Sequence, residues 1–352
     1  MKNTIFNSLK AGFVASLLGA TILAGTVNSA GSAGGAQLLI PQGNLNIALS
    51  TANGSTVSGL NSIYVNPAGV ANLSSMSGMM SSGDYIADTQ LTNLSFGMPL
   101  NETTNMAVSI RTMDFGDILK TSATATEGDG TTFSPSFFVG NLALGRNISD
   151  RVKVGVVGKL VSETIEDVSA TAMGADLGVQ YMFPGDRITV GVALKNLGSR
   201  LQYSGTGLEQ NLTPEDSQPG TANENFAITS MDSPLPTSLD LSVGYKLSPG
   251  LTVMASFENF SYQLNTVSFG AMYSAGNVWL AAGTKMNVQA GDRPTDVTSI
   301  VWDDYTTSNW GATLGFGVNL KMDATDVSIS YAYRQSAEFF DDFSSVEVSF
   351  TF

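Results

Sequence analysis

The chain contains no cysteine and no histidine. The first absence excludes a disulfide framework, a thiolate metal site and a thiol nucleophile. The second removes the Ser-His-Asp triad, His-ligated zinc and proximal-His haem. Charge is scarce too: 13% of the 352 residues are charged, against roughly 25% in an ordinary soluble domain. Cations are the scarcer kind, 16 against 30 acids, for a net charge of −14. Phosphate contacts need clustered Lys and Arg, so nucleic acid is a poor partner. No catalytic residue, metal ligand or cofactor site stands out, and an enzyme is not expected. After residue 24 no run approaches the ~18 apolar residues of a spanning helix.

Glycine, by contrast, is abundant, at 37 residues, where roughly 7% is typical. The first residues also have a clear pattern. Lys2 and Lys10 stand in a stretch without acids, residues 11–24 are apolar and small, and TVNSAGSAGGA follows. A positive region, an apolar core and a small-residue zone make a secretory signal peptide. Cleavage after Ala30 or Ala33 fits, so residues 1–30 are read as leader. The chain from residue 31 then lies outside the cytoplasm.

The rest alternates with period two. Val346-Glu347-Val348-Ser349-Phe350-Thr351-Phe352 is one case, and Trp310–Leu320 another, with Trp310, Ala312, Leu314, Phe316, Val318 and Leu320 on one face. LDLSVGYKL (239–247), DVSISYAYR (326–334), GADLGVQYMF (174–183) and ITVGVALKN (188–196) repeat it. Strict alternation means strands with one apolar and one polar face. The polar face is mostly Gly, Ser, Thr and Asn rather than the Lys and Glu of a soluble surface. That suits an all-β transmembrane barrel whose apolar side meets lipid and whose small polar residues line the lumen. A closed sheet also pairs every backbone group without leaving an edge in lipid.

Fourteen strands are expected near 76–86, 90–99, 104–114, 134–147, 150–165, 171–183, 187–198, 236–247, 250–260, 264–275, 277–288, 309–321, 324–335 and 344–352. Tight turns such as NISD (147–150) and PGDR (184–187) alternate with long connections, among them 115–133, 199–235 and 289–308. Short turns on one side and long loops on the other mark a bacterial outer-membrane barrel. An even strand count puts both ends of the barrel on the short-turn side. The terminal alternating strand, with Phe350 and Phe352, fits a C-terminal signal for the outer-membrane assembly machinery. Tyr85, Tyr181, Phe183, Tyr245, Trp279, Trp310, Tyr331 and Tyr333 are compatible with an interfacial belt, or with ordinary strand packing. Glu163, Asp176 and Asp240, with Lys159 and Lys246, are expected to pair across a wet lumen. Acids in the long loops, such as Glu209 and Asp232, read as solvated rather than metal-binding.

Residues 31–73 alternate poorly and form an arm ahead of a barrel spanning 74–352. The arm contains Asn66-Pro67-Ala68-Gly69. Pro fixes φ and removes a donor, and Asn turns or caps the chain before it. This run resembles the hatch motif of FadL-type outer-membrane barrels. Within that superfamily the chain is most similar to the PorV/PorQ family, on GAQLLIPQG (35–43), DYIAD (84–88), MDFGDI (113–118), EGDGTTFSP (127–135) and ALKNLGSRLQYSG (193–205), in matching order. It departs from that family at NIALSTANG (46–54), where a Gly-rich stretch is usual.

The resemblance implies a fourteen-stranded barrel with the arm as a hatch in the lumen. It also implies one of two functions. One is an accessory of type IX protein secretion, docking on a translocon and handling cargo near the long loops. The other is a passive conduit for fatty acids or other hydrophobic small molecules. In the conduit a kinked third strand, here Asp114-Phe115-Gly116-Asp117, opens a lateral path into the bilayer; a plain loop start is the competing reading of those four residues. No cofactor is implied; outer-membrane lipid is a partner in either case.

Overall fold

The computed structural model describes residues 31–212, 218, 222–288, 298, 308, 310–322, 325–336 and 340–352. The leader expected at 1–30, with its cleavage site near Ala30, lies outside the described residues. The strands in chain order are β1 (Ser77–Asp84), β2 (Gln90–Pro99), β3 (Thr104–Asp114), β4 (Ile118–Leu119), β5 (Thr132–Phe133), β6 (Ser136–Ser149), β7 (Val152–Ile165), β8 (Val168–Met182) and β9 (Ile188–Gly198). They continue with β10 (Glu209–Leu212), β11 (Glu224–Ala227), β12 (Ser238–Ser248), β13 (Leu251–Phe260), β14 (Asn265–Ala275), β15 (Val278–Val288), β16 (Trp310–Lys321), β17 (Asp326–Ser336) and β18 (Phe343–Thr351). Two short ladders, β4–β5 and β10–β11, stand in the long connections after β3 and β9. The other fourteen strands form one closed barrel, each pairing antiparallel with its neighbours. The ring closes where β1 pairs β18 from Ser77–Thr351 to Asp84–Ser344.

Alternation decides which side each residue faces. On β2, Leu94 is 51% exposed while Asn93 is 1% exposed. On β16, Phe316 is 50% exposed while Thr313 is 1% exposed. The apolar residues stand outward and the polar ones inward, the reverse of a soluble core. Lipid accepts the outer band, and the inner polar groups need partners inside the barrel. At the end of the sheet, Phe350 and Phe352 are exposed, and the Phe352 N–H donates to Met76 O at 2.9 Å. Among the described residues no helix is long and apolar enough to cross a membrane.

The arm supplies those inner partners. It consists of short turns at Ala36–Leu39, Asn44–Ala48, Gly59–Tyr64 and Pro67–Asn72. Its contacts run all round the ring. Asn44 Nδ2 donates to Ser330 O and Ser345 O on β17 and β18. Gln180 Nε2 of β8 donates to Gly54 O and Val57 O. Asn105 Nδ2 of β3 donates to Val70 O and Leu73 O. A segment that meets strands on all sides of a closed ring fills its lumen.

Candidate functional site

The inner face lets the arm in because it is paved with glycine. Gly145 of β6 pairs with Gly155 of β7, which pairs with Gly178 of β8. A Cβ at any of the three would collide with the arm at Asn66–Ala71. Further round, a Cβ at Gly283 would sit 2.7 Å from Leu49 C, and one at Gly315 2.6 Å from Ala48 Cβ. Backbone on backbone is the closest approach a chain can make, and only glycine permits it.

Asn66, Pro67, Ala68 and Gly69 lie on this glycine row. Asn66 caps the Pro67–Asn72 turn, its Oδ1 accepting from the Ala68 N–H at 3.1 Å, and Pro67 takes the first position. Asn66 Nδ2 donates to Gly54 O at 2.9 Å and to Val179 O at 3.1 Å. Asn66 is 1% exposed and Ala68 fully buried. A Cβ on Gly69 would collide with Val57 O. The four residues turn the arm and fasten it to the wall.

Above them, toward the long loops, the arm leaves a cavity of about 420 Å³. Its walls mix apolar arm residues, Leu38, Leu39 and Ile40, with Val139, Phe260 and Leu264 of the barrel. Five cations line it (Arg111, Lys159, Lys195, Lys285 and Arg334), and Glu258 is the carboxylate among the lining residues. The lysines are neutralised. Lys159 pairs with Asp176 at 2.7 Å, Lys195 with Asp240 at 2.5 Å and Lys285 with Glu258 at 2.5 Å. The arginines are not. Arg111 donates from Nη1 to Gln37 O at 2.5 Å and lies over the Tyr64 ring. Arg334 stacks 4.0 Å from the Trp310 ring centroid. Among the described residues neither pairs with a carboxylate, and the buried Nε of each has no hydrogen-bond partner.

The sequence reading named Asp176, Asp240 and Lys159 but missed Lys195, Glu258, Lys285 and both arginines. Asp240 pairs with Lys195, not Lys246, which is exposed at the short-turn end. Glu163 accepts a hydrogen bond from the Tyr203 hydroxyl. Three of the aromatics compatible with an interfacial belt or with strand packing turn inward. Trp279 packs with Ala48 and Leu49 of the arm. Tyr85 meets Trp310 at 5.8 Å and Phe343 at 5.6 Å between ring centroids. Trp310 is turned by a register shift between Trp310 and Thr313, which breaks the alternation that would have faced it outward.

Asp114, Phe115, Gly116 and Asp117 stand at the end of β3. The strand holds register with β2 and with β6 from its first pair to Asp114, with no shift. Beyond it Asp114 Oδ1 accepts from the Gly116 N–H at 2.9 Å, and Gly116 takes φ 67°. These four residues make the turn out of the strand rather than a bend within it.

No family model and no curated protein matches the chain. Solved structures do. A monoaromatic hydrocarbon channel, the TodX deltaS2S3 mutant, superposes with a TM-score of 0.55 at 11% identity, over 88% of this chain and 97% of that one. The Pseudomonas putida toluene transporter TodX superposes with a TM-score of 0.53 at 11% identity, over 88% of this chain and 96% of its own. The CymD monoaromatic hydrocarbon channel gives 0.50 at 11% identity over 88% and 99%. The fold is that of these channels. At such identities the likeness covers architecture alone, a closed fourteen-strand antiparallel barrel, and it does not bear on the PorV/PorQ resemblance.

Proposed function

We propose that this protein is a passive conduit for hydrophobic small molecules across the bacterial outer membrane, with residues 31–73 as its hatch. The observation that carries this reading is the cavity above the arm. Its walls offer apolar side chains for a hydrocarbon body beside two buried guanidiniums that no carboxylate pairs, a setting for an acidic head, as in a fatty acid. A buried charge without a partner is costly, so such a site favours the ligand that supplies one. A wide diffusion pore would not hold an arm that bonds to strands all round its ring. The similar solved structures, channels for monoaromatic hydrocarbons, favour the same class of cargo. The secretion-associated reading rests only on short sequence similarities, and part of its expected partner surface, loops 199–235 and 289–308, lies outside the described residues.

The test is titration of the detergent-purified protein with a medium-chain fatty acid and with the alcohol of equal length. The acid is expected to bind more tightly, and Arg111→Leu to weaken it about tenfold while sparing the alcohol. Binding of neither ligand, together with recovery of a translocon subunit from native membranes, would reverse the choice between the two functions.

A further inference from the structure

The barrel's ladder pairing is interrupted away from β3. β9 pairs with β12 only from Ile188–Tyr245 to Lys195–Ser238, although β9 runs on to Gly198. The pairing returns at the Leu201–Ser233 bridge. In between, Pro234 and Pro236 have no N–H to give a ladder. On the other side of β9 the register with β8 shifts between Ala175 and Leu177, and Asn196 takes φ 57°. β15 also runs past its pairing with β16, but the chain opposite lies largely outside the described residues.

Side chains hold the β9–β12 interruption. Asn196 Nδ2 donates to Pro236 O at 3.0 Å, and Thr237 Oγ1 donates to Asn196 O at 3.0 Å. The Asn196 N–H donates to Asp176 Oδ1 at 2.7 Å, and Lys159 Nζ donates to Asn196 Oδ1 at 2.6 Å. Each of these four bonds has a side-chain partner, and none is a ladder bond.

Two cavities meet this stretch from inside. The 420 Å³ cavity reaches it at Lys195 and Asn196, and a second of about 180 Å³ reaches it at Pro236 and Thr237. The two share Ala36, Leu39, Phe260 and Gln263 as walls. The arm is fastened to the same stretch, the Gly34 N–H donating to Pro234 O at 2.9 Å. Outside, Met173 and Leu197 flank it as exposed apolar side chains.

We propose that the lateral exit of this barrel lies between β9 and β12, at the Asn196 bulge, and delivers apolar molecules from the cavity into the outer half of the bilayer. This rests on the conduit reading, so two measurements separate them. The chain has no cysteine, so an introduced one is unique. Thr237→Cys carries a bimane label in vesicles containing nitroxide-labelled phosphatidylcholine, with Asn141→Cys on the inner face of β6 as control. Lipid quenching is expected at 237 and not at 141; equal quenching overturns the exit whether or not anything is transported. Second, Asn196→Cys/Pro236→Cys locks the opening by a disulfide, and Asp114→Cys/Ser136→Cys locks the top of β3 to β6. Oxidation of the first pair is expected to slow transfer of phenylnaphthylamine into the vesicle membrane about tenfold, reversed by reductant. Oxidation of the second leaves the rate unchanged. Slowing by the β3–β6 lock alone overturns the exit and leaves the conduit standing. Failure of the wild-type protein to bind the probe overturns the conduit, and the quenching result still decides the exit.

Discussion

Asn66 shows how one side chain can settle the path of a segment. Its carboxamide accepts from the turn it caps and donates to three carbonyls, one in the arm, one on β8 and one on β9. Alanine there removes all four hydrogen bonds in a place water does not reach. Leaving a buried polar group unsatisfied costs about 1–3 kcal/mol. The barrel ladder makes no use of this side chain. Asn66→Ala is therefore expected to keep the folded barrel's shifted mobility on unheated gels while residues 31–73 become cleavable by protease. An equal loss of the gel shift would mean that arm and barrel fold as one unit. The Asn-Pro pair was legible as a turn in the sequence; its bond to Val179 O, 113 residues away, was not.

At the scale of elements, the strands were legible and their register was not. Alternation places each of the fourteen barrel strands to within a few residues, because the side-chain period of a strand is two wherever a ladder is regular. It fails at bulges. Trp310 reads as lipid-facing until the shift before Thr313 turns it over Arg334. Lys159 and Asp176 pair as the sequence implies, but the partner of Asp240 is missed for a related reason: Lys195 and Asp240 are neighbours only because β9 pairs β12. Glycine abundance was legible as a small inner face, but the row Gly145, Gly155 and Gly178 needs the register to be seen. That row makes a prediction. Gly155→Val places a branched side chain where Pro67 now lies against β7. Overpacking costs about 1–3 kcal/mol, and valine is otherwise welcome in a strand. The barrel is expected to assemble with an unchanged melting temperature, with the arm displaced. Gly158→Val, where nothing lies within 4 Å of the added Cβ, serves as control. Equal protease resistance of the arm in the two variants would refute the close fit.

For the whole molecule, the arm decides whether the barrel is a pore. Fourteen strands enclose more space than their inner side chains fill, and the inner face is rich in Ser, Asn and charged groups that water would solvate. With residues 31–73 in place, what remains is a cavity of about 420 Å³ whose walls mix apolar side chains with buried cations. Without them the same wall is a hydrated channel. The ladder bonds of the barrel run between strands, so a chain lacking 31–73 keeps its ladder and loses only the arm partners of inner polar groups, which water replaces. The deletion is expected to assemble into outer membranes and to give large, steady ionic conductance in planar bilayers. The intact chain should stay closed to ions while still binding its apolar ligand. A hatch that excludes ions and admits hydrocarbon needs a route that bypasses the plug, and the β9–β12 interruption beside the cavity is the proposed one. If the intact chain conducts as freely as the deletion, the arm is no barrier, and neither hatch nor side exit is needed.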